Sequence, residues 1–268
     1  MRRVRTRPPR GGSKRPPRVA RRRDRSEAPS RRAVDRRRGV AAKPRDASPE
    51  AIDRLLDAQD WSALVPLLPR STAPVDEVLA RLRAHCRALL TWNRRVSNLI
   101  SKNDEARIVA RHVAESLAPA RWMAELAIGE WLDFGSGAGF PALPLAMAGI
   151  GRRWVLVETR RPKILFLRKT LSEITTDGVL EVVGARLESI PGDSYRVGGF
   201  TARATDKLGP TLALASTFVA SGGSAFLWKG SRWSDEIESD RSWVSWWRLS
   251  DRREISNTAI SVARFERI

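Results

Sequence analysis

Cysteine is almost missing from this chain: one residue, Cys86, among 268. A disulfide framework and any multi-cysteine zinc site are thereby excluded. Long apolar runs are missing too. Within the uncharged stretch Phe134 to Gly151, the apolar part from Ala138 to Ile150 falls well short of the roughly 20 residues that a membrane-spanning helix needs. The Arg-rich start has no apolar segment of the kind a secretory signal carries. An intracellular, cytoplasmic location is the expectation, with no membrane partner. Cys86 stands among Leu82, Ala84 and Leu89 in a helical pattern, which predicts a packed, inert thiol.

Positive charge is scarce where a folded body would carry it. The formal net charge is +19, but residues 1–48 hold 19 Lys and Arg against 4 Asp and Glu, a net of +15. The remaining 220 residues hold 30 basic and 26 acidic side chains, a net of +4. The basic segment is Arg, Pro, Ser and Ala with scarcely a large apolar side chain. It cannot bury enough surface to offset its ordering entropy, so residues 1–48 are expected to be a disordered arm. Such an arm serves either as a loose electrostatic contact to RNA phosphates or as a solvated extension without a role.

The rest of the chain divides into a helical region, 49–128, and an α/β core, 129–268. Ser48-Pro49-Glu50 has the form of a helix cap with Pro in the first turn. Val75, Val78, Leu79, Leu82, Cys86, Leu89 and Leu90 predict a second helix over about 74–93. A third follows Asn103-Asp104-Glu105, with Ile108, Val109, Val113 and Leu117 on one face. From Glu130 the period changes. Short strands at 130–134, 153–158, 179–183, 199–202 and 224–228 alternate with helices at 140–149, 162–174 and 211–220. Alternation of this kind predicts a doubly wound, mainly parallel, Rossmann-like sheet with right-handed crossovers. The stretch 242–268 predicts two more strands as a closing hairpin. Trp243, Trp246 and Trp247 offer base-stacking surfaces, but aromatic residues in strands more often pack a core, and core is the expectation here.

One glycine is also missing. After the first strand comes Asp133-Phe134-Gly135-Ser136-Gly137-Ala138-Gly139-Phe140, then a helix. A dinucleotide fingerprint, G-x-G-x-x-G, would put its third glycine at 140, where Phe stands. Glycines 135, 137 and 139 still allow a tight bend and close approach to a ligand. The variant suits a ligand without phosphates, since no anion has to sit on the helix terminus. S-adenosylmethionine, with its sulfonium and amino-acid end, meets that description. Glu158, at the end of the second strand, is placed to accept hydrogen bonds from both ribose hydroxyls. Arg203 stands at the end of the fourth strand, where open α/β sheets hold their ligands. It either contacts the ligand or forms a structural salt bridge. His112, Lys163 and Lys229 are candidate RNA contacts.

These residues resemble a known family over about 78–230: the bacterial small-subunit rRNA methyltransferase G family, also called glucose-inhibited division protein B. Leu90-Thr91-Trp92-Asn93 with Asn98-Leu99, Arg111 to Leu117, Asp133 to Pro141, Glu158-Thr159 with Lys163, Arg186-Leu187-Glu188, Ala202-Arg203-Ala204 and Lys229-Gly230 carry the likeness. Departures are Ile100 for Thr, Glu115 and Glu158 for Asp, and Pro162 for Lys. The resemblance implies a class I methyltransferase that methylates guanine N7 in 16S rRNA. It also implies cofactor contacts at Gly135, Phe140, Leu187, Glu188 and Arg203. Two further absences agree with it. No Asn-Pro-Pro-Tyr follows the fourth strand, where Ala202-Arg203-Ala204-Thr205 stands, and no Pro-Cys nucleophile is present. Guanine N7 has an in-plane lone pair and no proton, so no catalytic base is expected. Two other readings stay open on the sequence: a methyltransferase for a small molecule or protein, and a non-catalytic RNA-binding assembly factor. A monomer is expected.

Deleting residues 1–48 should leave cofactor affinity intact and weaken RNA binding most at low salt. Titrations across ionic strength check this, and equal RNA affinity at every salt concentration would leave the arm without a role.

Overall fold

A computed structural model describes residues 46–70, 73–174, 178–204 and 207–268. The expected basic arm therefore lies outside the described residues as far as residue 45. Its last three residues lead into α1 (Pro49–Asp57), where Ser48 accepts a hydrogen bond from the Ala51 N–H and Pro49 stands in the first turn. A short 3-10 turn, Ser62–Leu67, buries Leu64 and leads toward α2 (Val75–Arg95). Val78, Leu82, Cys86, Leu89 and Leu90 are all fully buried along α2, as the spacing predicts. Burial pushes the Cys86 thiol up to about 12, so it is inert at neutral pH.

The third predicted helix differs. Lys102–Arg107 is a 3-10 turn, Val109–Ala114 is a π-helix, and only Glu115–Leu117 (α3) is α-helical. Ile108, Val109, Val113 and Leu117 are nonetheless buried, so the apolar stripe survives the change of pitch. Its physical reason lies in two carbonyls: Arg111 O and His112 O both accept from the Arg203 guanidinium, at 2.9 and 3.3 Å. A widened turn presents them sideways, which a regular α-helix does not.

After α4 (Ala120–Ala124) the α/β core begins. Its elements are β1 (Glu130–Phe134), α5 (Ala142–Met147), β2 (Arg153–Val157), α6 (Arg161–Glu173) and β3 (Val179–Val183), followed by β4 (Val197–Arg203), α7 (Leu208–Phe218) and β5 (Val219–Lys229). Then come α8 (Trp233–Ser239), β6 (Trp247–Glu254) and β7 (Ser261–Arg267). The sheet order is β3-β2-β1-β4-β5-β7-β6. The first five strands are parallel; β7 runs antiparallel beside β5, and β6 closes the edge. The chain order reverses between β1 and β4, the place where an open α/β sheet leaves a crevice at its strand ends. The fold is α/β and doubly wound, as the alternation predicts. Strands β4 and β5 are longer than expected, because Val197–Gly198 and Val219–Gly223 extend them. Helix α8 was not expected at all: seven residues rich in charge show no apolar period.

Two apolar layers cover the sheet. One joins α1, α2, the π-helix and α5 to Trp131, Trp154 and Phe226; the other joins α7 to Phe200, Leu227, Trp247 and Phe265. The tryptophans of the C-terminal stretch correct one expectation. Trp243 lies on a 3-10 turn, not a strand, and Trp247 opens β6. Both are buried, while Trp246 is 41% exposed. Among the described residues no helix is long and apolar enough to cross a membrane.

Trp131 and Trp154 stack at 5.3 Å, and Gly199 is the β4 partner of Trp131. A Cβ at Gly199 would overlap the Trp131 indole. Gly199→Ala should therefore destabilise the fold by about 1–3 kcal/mol through overpacking, read from urea unfolding; an unchanged midpoint would mean that the indole moves aside freely.

Candidate functional site

A cleft of about 450 Å³ lies at the C-terminal ends of β1, β4 and β5. Its walls are Gly135 to Ala138 and Phe140, Leu99 and Ile100, Asp104, Arg111 and His112, Lys163 on α6, Arg203 and Ala204 at the end of β4, and Trp228 to Gly230 at the end of β5. A larger groove, about 680 Å³, follows α2 and α6. No strand end and no glycine of the loop reaches it, so the smaller cleft is the candidate site.

The loop is built by backbone bonds to the neighbouring strand. Gly135 N–H and Ser136 N–H both donate to Val157 O, at 2.9 and 3.1 Å. Gly137 N–H donates to Glu158 Oε2 at 3.0 Å. Gly135 and Gly137 hold φ of 74° and 60°, the left-handed region that only glycine occupies readily. Gly139 has a different task from its neighbours. A Cβ there would overlap Leu143 and come 3.3 Å from His85 Nε2, so this glycine serves packing behind the cleft.

Two imidazoles pack on Phe140, the buried His85 tilted at 5.1 Å and the half-buried His112 stacked at 5.1 Å. His85 Nε2 donates to Ala138 O at 2.9 Å, which fixes the loop from below. Desolvation by burial pulls both imidazoles down to about 4, with Arg203 adding to the effect at His112. Both are neutral at neutral pH. Sequence reasoning missed His85, since a histidine beside an apolar helix stripe carries no signal of what it will touch.

The carboxylates take distinct places. Asp133 is fully buried; Oδ1 accepts from Thr201 Oγ1 at 2.6 Å and Oδ2 has no partner. Burial pushes its carboxyl up to about 6, against the Thr201 and Ser136 hydrogen bonds. Glu158 is 5% exposed. Besides Gly137 N–H, it accepts from Thr159 N–H at 2.7 Å and Arg160 N–H at 2.8 Å. Glu115 binds Arg111 at 2.6 Å and also pairs with Arg203, while its carbonyl accepts from Trp228 Nε1 at 2.7 Å.

The structure thus brings Gly135, Gly137, Phe140, His112, Lys163, Arg203 and Lys229 together on one cleft. Gly139, Glu158, Leu187 and Glu188 do not line it: Glu158 is buried behind the bend that it holds, Leu187 is buried in the opposite apolar layer and Glu188 is exposed. Arg203 lines it, but its guanidinium is occupied by Glu115, Ser116 Oγ, Arg111 O and His112 O. Of the two sequence readings, the structural salt bridge is what the structure contains. Lys163 stands 3.9 Å from Glu158 Oε2, and Lys229 pairs with Glu236 at 2.8 Å. Thr205 lies outside the described residues.

The family model described as rRNA small subunit methyltransferase G matches residues 78–252. The chain belongs to this family. It is 33% identical over 205 residues to the ribosomal RNA small subunit methyltransferase G of Rhodopseudomonas palustris strain BisA53, covering 75% of this chain and 83% of that protein. A second relative, from strain BisB18 of the same species, is 35% identical over 191 residues, 69% of this chain and 78% of that protein. Among solved structures, the N-methyltransferase NodS from Bradyrhizobium japonicum with S-adenosyl-L-homocysteine aligns over 67% of this chain and 98% of its own, with 12% identity and a TM-score of 0.47.

The family uses S-adenosylmethionine, and the cleft fits such a ligand. A side-chain-free bend faces it, a carboxylate closes the bend from β2, and a buried carboxylate with one unpartnered oxygen lies directly behind. The cations on the cleft, Arg111, Lys163, Arg203 and Lys229, each stand beside a carboxylate, so none is left as a dedicated phosphate partner.

The neutral histidines give the fold a pH signature. Their folded pKa lies below the unfolded value, so the unfolded chain takes up protons first as pH falls from about 6.5 toward 4. Stability is lost across that window. Asp133, raised by burial, acts with the opposite sign between 3.8 and about 6. His112→Phe should flatten the slope of unfolding free energy between pH 5 and 6 by about 1.4 kcal/mol per pH unit. Denaturant unfolding at several pH values measures it; an unaltered slope would mean that His112 is protonated in the fold.

Proposed function

We propose that this protein transfers a methyl group from S-adenosylmethionine to N7 of a guanine in 16S ribosomal RNA, acting as a cytoplasmic monomer. The observation that carries this reading is the Gly135–Gly137 bend, held by Glu158 and turned onto the one cleft where the strand order reverses. In this reading Gly135, Gly137 and Phe140 hold the cofactor. Glu158 adds the acceptor capacity that three backbone N–H donors leave to a carboxylate with about four lone-pair sites. When bound, the cofactor supplies a sulfonium methyl: the N7 lone pair forms the new C–N bond as the S–C bond breaks, and the positive charge passes to the purine.

No side chain has to remove a proton, because N7 carries none. The work of this chain is then positioning and exclusion of water. Phe140, Ile100, Trp228 and Ile260 supply apolar wall to the cleft. Exposed Arg160, Arg161 and Arg186, which follow β2 and β3, surround the same sheet edge and suit phosphates of a bound RNA. Lys163 and Lys229 stand at the mouth with carboxylate neighbours that lower their net field. The modest charge of the body leaves the long-range attraction to these edge cations and to the N-terminal segment.

The direct test is methyl transfer from radiolabelled S-adenosylmethionine to small subunits of a strain deleted for this gene, followed by mass mapping of 16S rRNA. One N7-methylguanosine should be restored. Gly135→Arg, which fills the bend at a φ that side chains avoid, should weaken binding of S-adenosylhomocysteine by about 100-fold or more. Calorimetric titration checks it, and unchanged affinity would remove the cofactor from this loop.

A further inference from the structure

The cleft continues past the glycine loop. A second cavity of about 420 Å³, lined by Asn257, Thr258 and Ala259, has Asp104 and Arg111 in its wall in common with the cleft. Among the described residues lining the cleft, Asp104 is the one carboxylate. Glu115 lines the second cavity and is held by Arg111 and Arg203, and Glu158 closes the glycine bend through three backbone N–H groups. Asp104 Oδ2 accepts from Ser101 Oγ at 2.7 Å, and Oδ1 accepts from Arg107 at 3.1 Å. Each oxygen keeps one further lone pair. His112 Nε2, 3.8 Å from Oδ2, is too far for a hydrogen bond. Ser101 also caps the turn by accepting from Asp104 N–H at 3.2 Å, so the carboxylate is held in place before any ligand arrives. Burial raises its pKa, but Ser101, His112 and Arg107 together outweigh that and keep it below the usual carboxylate value. It is ionised at neutral pH.

Building on the activity proposed above, we infer that Asp104 reads the Watson–Crick edge of the target guanine, its two oxygens accepting from N1–H and from the N2 amino group. That edge lies across the purine from N7. In this reading a guanine gripped by Asp104, with Ile100, Trp228 and Ile260 as cleft wall, presents N7 on its opposite edge to the glycine loop. Adenine is rejected because its N1 presents a lone pair to a lone pair. The same contact helps the reaction itself. Methyl transfer leaves the purine cationic and its N1–H more acidic, so a carboxylate at that edge binds the transition state more strongly than the ground state.

The test uses the full chain and 16S rRNA from the deletion strain. Once the wild-type product is mapped, a semisynthetic RNA carries inosine at that position, which lacks only the N2 amino group. Wild type should lose about tenfold or more in kcat/KM on the inosine RNA. Asp104→Asn should lose about 100-fold in kcat on guanine, with a small change in KM. Its affinity for S-adenosylhomocysteine should stay within about twofold, and its preference for guanine over inosine should shrink, because both changes remove one contact. An Asp104→Asn enzyme that keeps the full preference overturns the inference. So does a wild type indifferent to inosine, a measurement that stands even when the variant does not fold. Absence of N7-methylguanosine from the wild-type product overturns the proposed activity, and this reading with it.

Discussion

The cleft exists because one buried carboxylate, Glu115, holds the helical layer to the strand ends. Its side chain pairs with Arg203 at the end of β4, and its carbonyl takes the indole N–H of Trp228 at the end of β5. Glu115 is 1% exposed and Arg203 11%. An ion pair this deep is costly to desolvate and is retained only with its remaining hydrogen bonds satisfied. The π-helix satisfies them: its widened turn offers the Arg111 and His112 carbonyls to the guanidinium. A departure from regular helix, a buried pair and an indole hydrogen bond are thus one device. It fixes the wall that faces the glycine loop.

The opposite wall is fixed from within the sheet. Glu158 gathers the N–H groups of Gly137, Thr159 and Arg160, so the end of β2 and the bend after β1 share one carboxylate. His85 and His112 both pack on Phe140. Both imidazoles stay neutral because the surroundings are dry, and a neutral ring is compatible with a cationic cofactor nearby. Asp133, with an unpartnered buried oxygen, adds negative potential behind the bend. With the lining cations Arg111, Lys163, Arg203 and Lys229 each beside a carboxylate, the site offers no dedicated partner to a pyrophosphate and is compatible with a sulfonium donor.

Much of this was legible in the chain. The α2 stripe, the alternation of strands and helices, the β6–β7 hairpin and the bend at Gly135–Gly137 all follow from spacing and from residues with one strong conformational preference. Arg203 was legible as important but not in its role, because its partner Glu115 lies 88 residues earlier. Gly139 looked like its neighbours in the motif; only packing against Leu143 and His85 separates it from them. Leu187 and Glu188 follow β3 in the chain, yet the turn there sends one into the core and the other to solvent. Trp243 and Trp247 are the core residues expected of them, Trp247 on a strand and Trp243 on a turn, whereas Trp246 is exposed.

The sequence by itself determined the class of fold, the apolar faces and the location of a ligand-ready bend, since periodicity and glycine conformation act over a few residues. The tertiary structure alone decided which polar side chains are spent on the scaffold and which remain for a ligand. Glu115, Glu158 and Asp104 carry the same carboxylate group, and only Glu158 stood out as a candidate in the sequence. Burial and hydrogen bonds between residues far apart in the chain divide them, and no local pattern records those contacts.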